Sequence, residues 1–131
     1  MNGLHLIADL YDCACDPALL VDAARLESFC VDTCRAAGLT PVGRLFHTFA
    51  AAGGESAGVT GAVVLAESHL AIHTWPESAS VTLDLYVCNY SSDNRASARQ
   101  VFAALGERLR PGRRVEHAIE RGELPRLQAP D

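Results

Sequence analysis

A chain of 131 residues that is 49% hydrophobic and carries a formal charge of -5 is sized for one domain, residues 1-131, burying roughly two-thirds of its unfolded surface. The acidic balance gives no electrostatic hold on nucleic-acid backbones or anionic membranes, both of which select basic surfaces. All eleven basic residues are arginine, which excludes a pyridoxal-phosphate enzyme, since that cofactor is held as a Schiff base on a lysine of the protein.

The first element follows directly from the N-terminus. Met1 to His5 carries no basic region leading into an apolar stretch, so no export signal is expected. Leu4, Leu6, Ala8 and Leu10 alternate with His5, Ile7, Asp9 and Tyr11, the period of a half-buried strand. Asp16-Pro17 then opens a helix, with the aspartate on the free amides and the proline preorganised at the first turn. Its apolar stripe is Leu19, Ala23, Leu26, Cys30 and Cys34, and Gly38 stops it. Thr40 to Phe49 reads as a second strand and Ala50 to Gly58, with adjacent glycines, as a loop.

Gly61 to Ala66 and His69 to Trp75 are strands on either side of Glu67-Ser68. The apolar run Val59 to Ala66 is far short of the roughly 20 residues of a membrane span. Ser80 to Cys88 is another strand, with Val81, Leu83, Leu85 and Val87 on one face. Asp93 or a neighbouring serine caps a second helix with the stripe Ala98, Val101, Phe102, Leu105 and Leu109, ended by Pro111-Gly112. A last strand covers Arg114 to Ile119. Arg108, Arg110, Arg113 and Arg114 suit a solvated helix end, where cations complement the helix dipole; the alternative is a patch for an anionic partner. These elements predict an α/β (α+β) two-layer sandwich, a largely antiparallel sheet with two helices on one face. The other face would need covering.

Five cysteines, Cys13, Cys15, Cys30, Cys34 and Cys88, form an odd set without Cys-x-x-Cys, as expected of a reducing, cytoplasmic setting. The first four read as small apolar residues, with a four-thiolate metal site as the alternative. His69 and His73 would suggest a zinc pair on a helix, but Leu70, Ile72 and Thr74 alternate against them and Pro76 follows, so the segment is a strand and no metal is expected.

Leu65-Ala66-Glu67-Ser68-His69-Leu70-Ala71-Ile72-His73-Thr74-Trp75-Pro76-Glu77, with Cys88 twenty positions after Ser68, resembles the proenzymes of prokaryotic S-adenosylmethionine decarboxylases, which are pyruvoyl-dependent. The likeness runs from about His5 to Arg121. It implies that the Ser68 hydroxyl attacks the Glu67 carbonyl, that the ester so formed eliminates, and that the resulting dehydroalanine hydrolyses to a pyruvoyl group. Residues 1-67 and 68-131 would then be separate chains of one fold, and the ketone would form a Schiff base with the substrate amine. The resemblance gives His73 proton transfer during processing and Cys88 the return of a proton to the substrate carbon.

It also gives Thr60, eight before Ser68, a supporting role in processing where a serine is usual, and makes Phe49, Trp75 and Glu77 candidate substrate contacts, two aromatics for an adenine and a carboxylate for ribose or sulfonium. Phe46-His47-x-Phe49 fits the same pattern. Dimers or higher oligomers of processed protomers, with active sites near the interface, are implied as well. Without the motif Ser68 would be a turn serine, Cys88 a buried apolar residue and the aromatics core packing. Two departures sit near the pocket: a longer Ala50 to Gly58 loop, and Val87-Cys88-Asn89-Tyr90 where Thr-Cys-Gly is usual. Decarboxylation of arginine or ornithine by the same chemistry, and an uncleaved regulatory or binding subunit, are therefore carried as alternatives.

Overall fold

The protein is described by a computed structural model, which covers residues 2-50, 53, 56-90 and 92-122. Six strands form one antiparallel sheet: β1 (Asn2–Cys13), β2 (Pro41–Ala50), β3 (Ser56–Leu65), β4 (Ser68–Trp75), β5 (Ser80–Cys88) and β6 (Pro111–Gly122), in the order β2-β3-β4-β5-β1-β6. Helices α1 (Ala18–Val21), α2 (Ala23–Ala36) and α3 (Arg95–Leu109) complete the described elements with a 3-10 turn at Pro76–Ser78. None of the helices is long and apolar enough to cross a membrane.

The alternation read from the sequence decides which face is dry. Leu4, Leu6, Ala8 and Leu10 of β1, Leu70 and Ile72 of β4, and Val81, Leu83, Leu85 and Val87 of β5 are buried, and they join Leu26, Cys30, Val31 and Cys34 of α2 and Val101, Leu105 and Leu109 of α3 in one core. At about 25 cal/mol per Å2 of apolar surface removed from water, this layer contact is the main stabilising term.

Boundaries depart most from the expectation at three places. The first helix is two helices, because Asp22 is extended (φ -101, ψ 102) and its carboxylate accepts from the amides of Ala24 and Arg25 at 3.1 and 3.2 Å. Asp16 still receives the amide of Ala18 at 3.0 Å, so each segment has its own aspartate. β3 begins at Ser56 rather than Gly61, taking part of the expected Ala50 to Gly58 loop into the sheet; residues 51, 52, 54 and 55 of that loop lie outside the described residues. β6 starts at Pro111, which the sequence marked as a helix stop. Arg110 turns the chain at φ 51 and Pro111 pairs with Cys13 at the beginning of the edge strand, a place where a missing amide hydrogen is tolerated.

One side chain fastens the layers beside the candidate site. Thr74, buried on the helix side of β4, donates to the Leu20 carbonyl at 2.6 Å and accepts from the Val59 amide at 2.8 Å. Gly58 lies so close to β4 that a Cβ there would overlap the Thr74 carbonyl; only glycine admits that approach.

Candidate active site

β3 and β4 form a hairpin whose last pair is Leu65 and Ser68, leaving Ala66 and Glu67 as a two-residue loop. Glu67 takes φ 65, a left-handed conformation in which a side chain costs on the order of 1–2 kcal/mol. The turn is held by the Ala66 amide, which donates to the Thr40 carbonyl at 2.9 Å. Ser68 follows at the first position of β4 and is buried. Its hydroxyl oxygen accepts from the backbone amide of Cys88 at 3.3 Å. The serine and the cysteine, twenty residues apart, thus meet because β4 and β5 pair antiparallel, with His69 opposite Tyr86.

Cys88 is fixed from both sides. Its carbonyl accepts from the side-chain amide of Asn94 at 2.9 Å, and the next residue, Asn89, donates its backbone amide to the Asn2 carbonyl at 2.9 Å. Asn89 Oδ1 accepts from the Asn94 amide at 2.8 Å, bracing the start of α3, while its Nδ2 is buried without a partner among the described residues.

The second group of candidates stands at the other end of β4. Thr60 and His73 are directly opposite each other in the β3-β4 register, and Thr60 Oγ1 and His73 Nδ1 share a hydrogen bond at 3.1 Å. The His73 ring is tilted against Trp75 at 6.0 Å between centroids, and Phe49 meets His47 edge-on at 4.9 Å. Trp75 and Phe49 are 41% and 49% exposed, so neither is core packing. Glu77 is exposed in the 3-10 turn that follows.

His73 is five positions after Ser68 on the strand, about 16 Å at 3.3 Å per residue, and an odd offset sends their side chains to opposite faces. The single chain therefore brings Ser68 to Cys88 and Thr60 to His73, but does not bring the two pairs together. His69 and His73 lie about 13 Å apart along the same strand by the same rise, and the described residues hold no group of three or more metal-binding side chains.

Several polar residues to which the motif assigned no role occupy the open face near Ser68. His5 Nε2 is 3.3 Å and His69 Nε2 3.9 Å from Asp84 Oδ1, and both rings lie against Tyr86. The signal for them was present: His5, Asp84 and Tyr86 are the outward positions of alternating strands.

The four other cysteines behave as small apolar side chains. Burial, followed by the charges of Cys15 and Asp12, pushes the Cys13 thiol up to about 11; burial alone does the same for Cys34, and Cys30 is raised further. Thiols so disposed are poor metal ligands and poor nucleophiles. A groove of about 440 Å3 between α3 and β6, lined by Arg99, Phe102, Arg114 and Glu116 among others, contains none of the candidate residues.

Comparison with known proteins joins this geometry to a family. Residues 4–122 match the family model described as S-adenosylmethionine decarboxylase. The S-adenosylmethionine decarboxylase proenzyme of Parasynechococcus marenigrum is 38% identical over 92% of this chain and 86% of its own, and that of Thermoplasma acidophilum 34% over 93% and 85%. The crystal structure of the adenosylmethionine decarboxylase from Aquifex aeolicus superposes with a TM-score of 0.81 at 28% identity, covering 98% of this chain and 97% of that one. A serine behind a strained two-residue turn, anchored on the backbone of a cysteine one strand away, is thus set in a fold and a sequence pattern of one kind, and the chain belongs to the S-adenosylmethionine decarboxylase family.

Proposed function

We propose that the chain cuts its own Glu67–Ser68 bond, turns Ser68 into a pyruvoyl group and decarboxylates S-adenosylmethionine to the aminopropyl donor for spermidine synthesis. The observation that carries the proposal is the placement of a buried serine directly after a left-handed Glu67, with the Cys88 amide on its hydroxyl. A pyruvoyl carbonyl supplies the electron sink that carbon dioxide loss needs. The residues present fit that group: Ser68 has the atoms to form it, the turn exposes the bond to be broken, and the Cys88 amide offers a fixed donor at the oxygen.

The protein's own part is positional and protic. Strain at Glu67 raises the energy of the intact peptide relative to any species in which that bond is relieved. Cys88, one strand away from Ser68, gives its thiol proton to the substrate carbon after decarboxylation, as a positioned general acid. The relatives' names favour S-adenosylmethionine over arginine or ornithine, and Trp75 with Phe49 offers exposed aromatic faces for an adenine.

The same reading requires a second copy of the chain. Thr60 and His73 cannot reach Ser68 along their own strand, yet they lie on the face of the sheet opposite the helices. That face also carries Leu45, Val64, Trp75, Val115 and Ile119, each more than a third exposed. Two such faces packed about a two-fold axis bury this apolar surface and exchange residues reciprocally. Thr60 and His73 of one copy then stand over Cys88 and the Glu67–Ser68 peptide of the other, and Phe49, Trp75 and Glu77 arrive with them. The five cysteines, all free, suit a cytoplasmic setting.

Intact mass tests the proposal. Purified protein resolves into residues 1-67 and 68-131, the latter without a free N-terminal amine, and carbon dioxide is released from S-adenosylmethionine in preference to arginine or ornithine. Ser68→Ala stays full length and inactive. Folded protein that remains uncut after long incubation would refute it.

A further inference from the structure

Tyr86 stands two residues before Cys88 on β5, so both side chains leave the strand on the same side. Gly3 of β1 is paired with Cys88, and it is the residue over which the Tyr86 ring lies: a Cβ built on Gly3 would run into the Tyr86 ring and hydroxyl. The absent side chain is the space that the phenol occupies. On the far side of Gly3, Arg121 of β6 is its register partner, and its guanidinium sits 4.9 Å from the centre of the Tyr86 ring. Three strands therefore hold one tyrosine by stacking a cation on its face and clearing a glycine beneath it. Its hydroxyl stands on the same face as the Cys88 thiol two residues on, close enough for the two groups to interact.

We infer that Tyr86 is a positioning residue for the decarboxylation, its hydroxyl aiming the Cys88 sulfur and donating a hydrogen bond to the thiolate left when Cys88 gives up its proton. The inference rests on the proton-donor reading of Cys88. In the step concerned the S–H bond breaks, a C–H bond forms on the substrate carbon, and the negative charge moves to sulfur, where the phenol O–H meets it. Solvent later restores the thiol proton. A hydrogen bond to a charged acceptor is about twice as strong as one between neutral groups, so the contact favours the state after proton transfer over the state before it. Burial, then the neighbouring Cys88, hold the Tyr86 phenol above its ordinary range against the opposing pull of Arg121, so the hydroxyl keeps the proton it is asked to share.

Tyr86→Phe keeps the ring and deletes only the hydroxyl. Three readings are taken on it: the rate of Cys88 alkylation by iodoacetamide near neutral pH, followed on the Cys88 peptide by mass spectrometry; kcat and KM with S-adenosylmethionine; and the rate of self-cleavage. Losing one charge-assisted hydrogen bond lowers the alkylation rate about fivefold and kcat about tenfold, while KM and the cleavage rate stay within about twofold of the parent. A fall in kcat without a fall in alkylation would show that the hydroxyl acts other than through Cys88 and overturn the inference. A fall in alkylation with unchanged kcat would overturn it too, as would failure to cleave, which would move the hydroxyl to chain processing. Cleaved Cys88→Ala protein tested beside it separates the two readings: turnover at the parental rate there removes the proton donor itself, and this inference with it, whatever Tyr86→Phe shows.

Discussion

The two ends of β4 have the same backbone and opposite characters. At the Ser68 end the strand emerges from a strained turn, the serine is buried, and its neighbours Cys88 and Asn89 are tied by backbone and amide hydrogen bonds to β1 and to the start of α3. At the Trp75 end the polar pair Thr60 and His73 lies on the open face among half-exposed aromatics, and the strand is anchored from below by Thr74. The first end is completed within the chain; the second presents its chemistry outward. A site that needs both ends must borrow one of them, since a β-strand is too stiff to fold back over five residues.

Mixing two inactive chains puts the largest effect on that contrast. Ser68→Ala and His73→Ala each stop or strongly impair cleavage alone, but co-expressed they assemble mixed dimers in which an intact Glu67–Ser68 bond in one chain lies against an intact His73 of the other. The His73→Ala chain, distinguished by mass or tag, is then cut only in the presence of the Ser68→Ala chain; if it stays whole in verified mixed dimers, the exchange of residues between copies is wrong. Within the first end, Cys88→Ala lowers kcat by roughly 100-fold or more on processed protein, the usual weight of a positioned general acid, and single-turnover carbon dioxide release measures it.

At the second end the effects are smaller and of another kind. Trp75→Ala takes away an exposed stacking surface, raising KM about tenfold with a lesser change in kcat, a loss of about 1–1.5 kcal/mol; steady-state kinetics on processed enzyme decides it. Thr60→Val, which keeps the shape and deletes the hydroxyl on His73, slows self-cleavage about fivefold, in line with one lost hydrogen bond. A denaturing-gel time course that shows no slowing would leave His73 without the partner assigned to it.

The sequence carried the sheet well because each strand buries one face, and a period of two survives translation into amino acids with little ambiguity. The helix break at Asp22 was hidden for the converse reason: an aspartate between Leu19 and Ala23 fits the polar side of one long helix as well as it fits a cap between two, and only the amides it accepts decide. Pro111 was read as a stop, though a proline can equally begin an edge strand. In the site, the pairing of Ser68 with Cys88 follows from two adjacent strands and was legible. The distance from Ser68 to His73 was legible also, from the strand assignment and the count of five, but a motif lists residues without saying whether one chain brings them together. Tyr86 lay outside the motif, and its meaning depends on Gly3, a contact across 83 positions that alternation alone does not reveal.

The order of the strands has a consequence for how this molecule can be made. Cleavage after Glu67 would leave β1, β2 and β3 in one piece and β4, β5 and β6 in the other, yet in the sheet they run β2-β3-β4-β5-β1-β6. The pieces interleave, meeting along three seams: β3 with β4, β5 with β1, and β1 with β6. Neither piece holds the whole sheet, so the fold has to be complete before the bond is cut. Once it is cut, recovery from unfolding becomes an encounter between two molecules where it had been the collapse of one, and its rate acquires a dependence on concentration that the uncut chain never had.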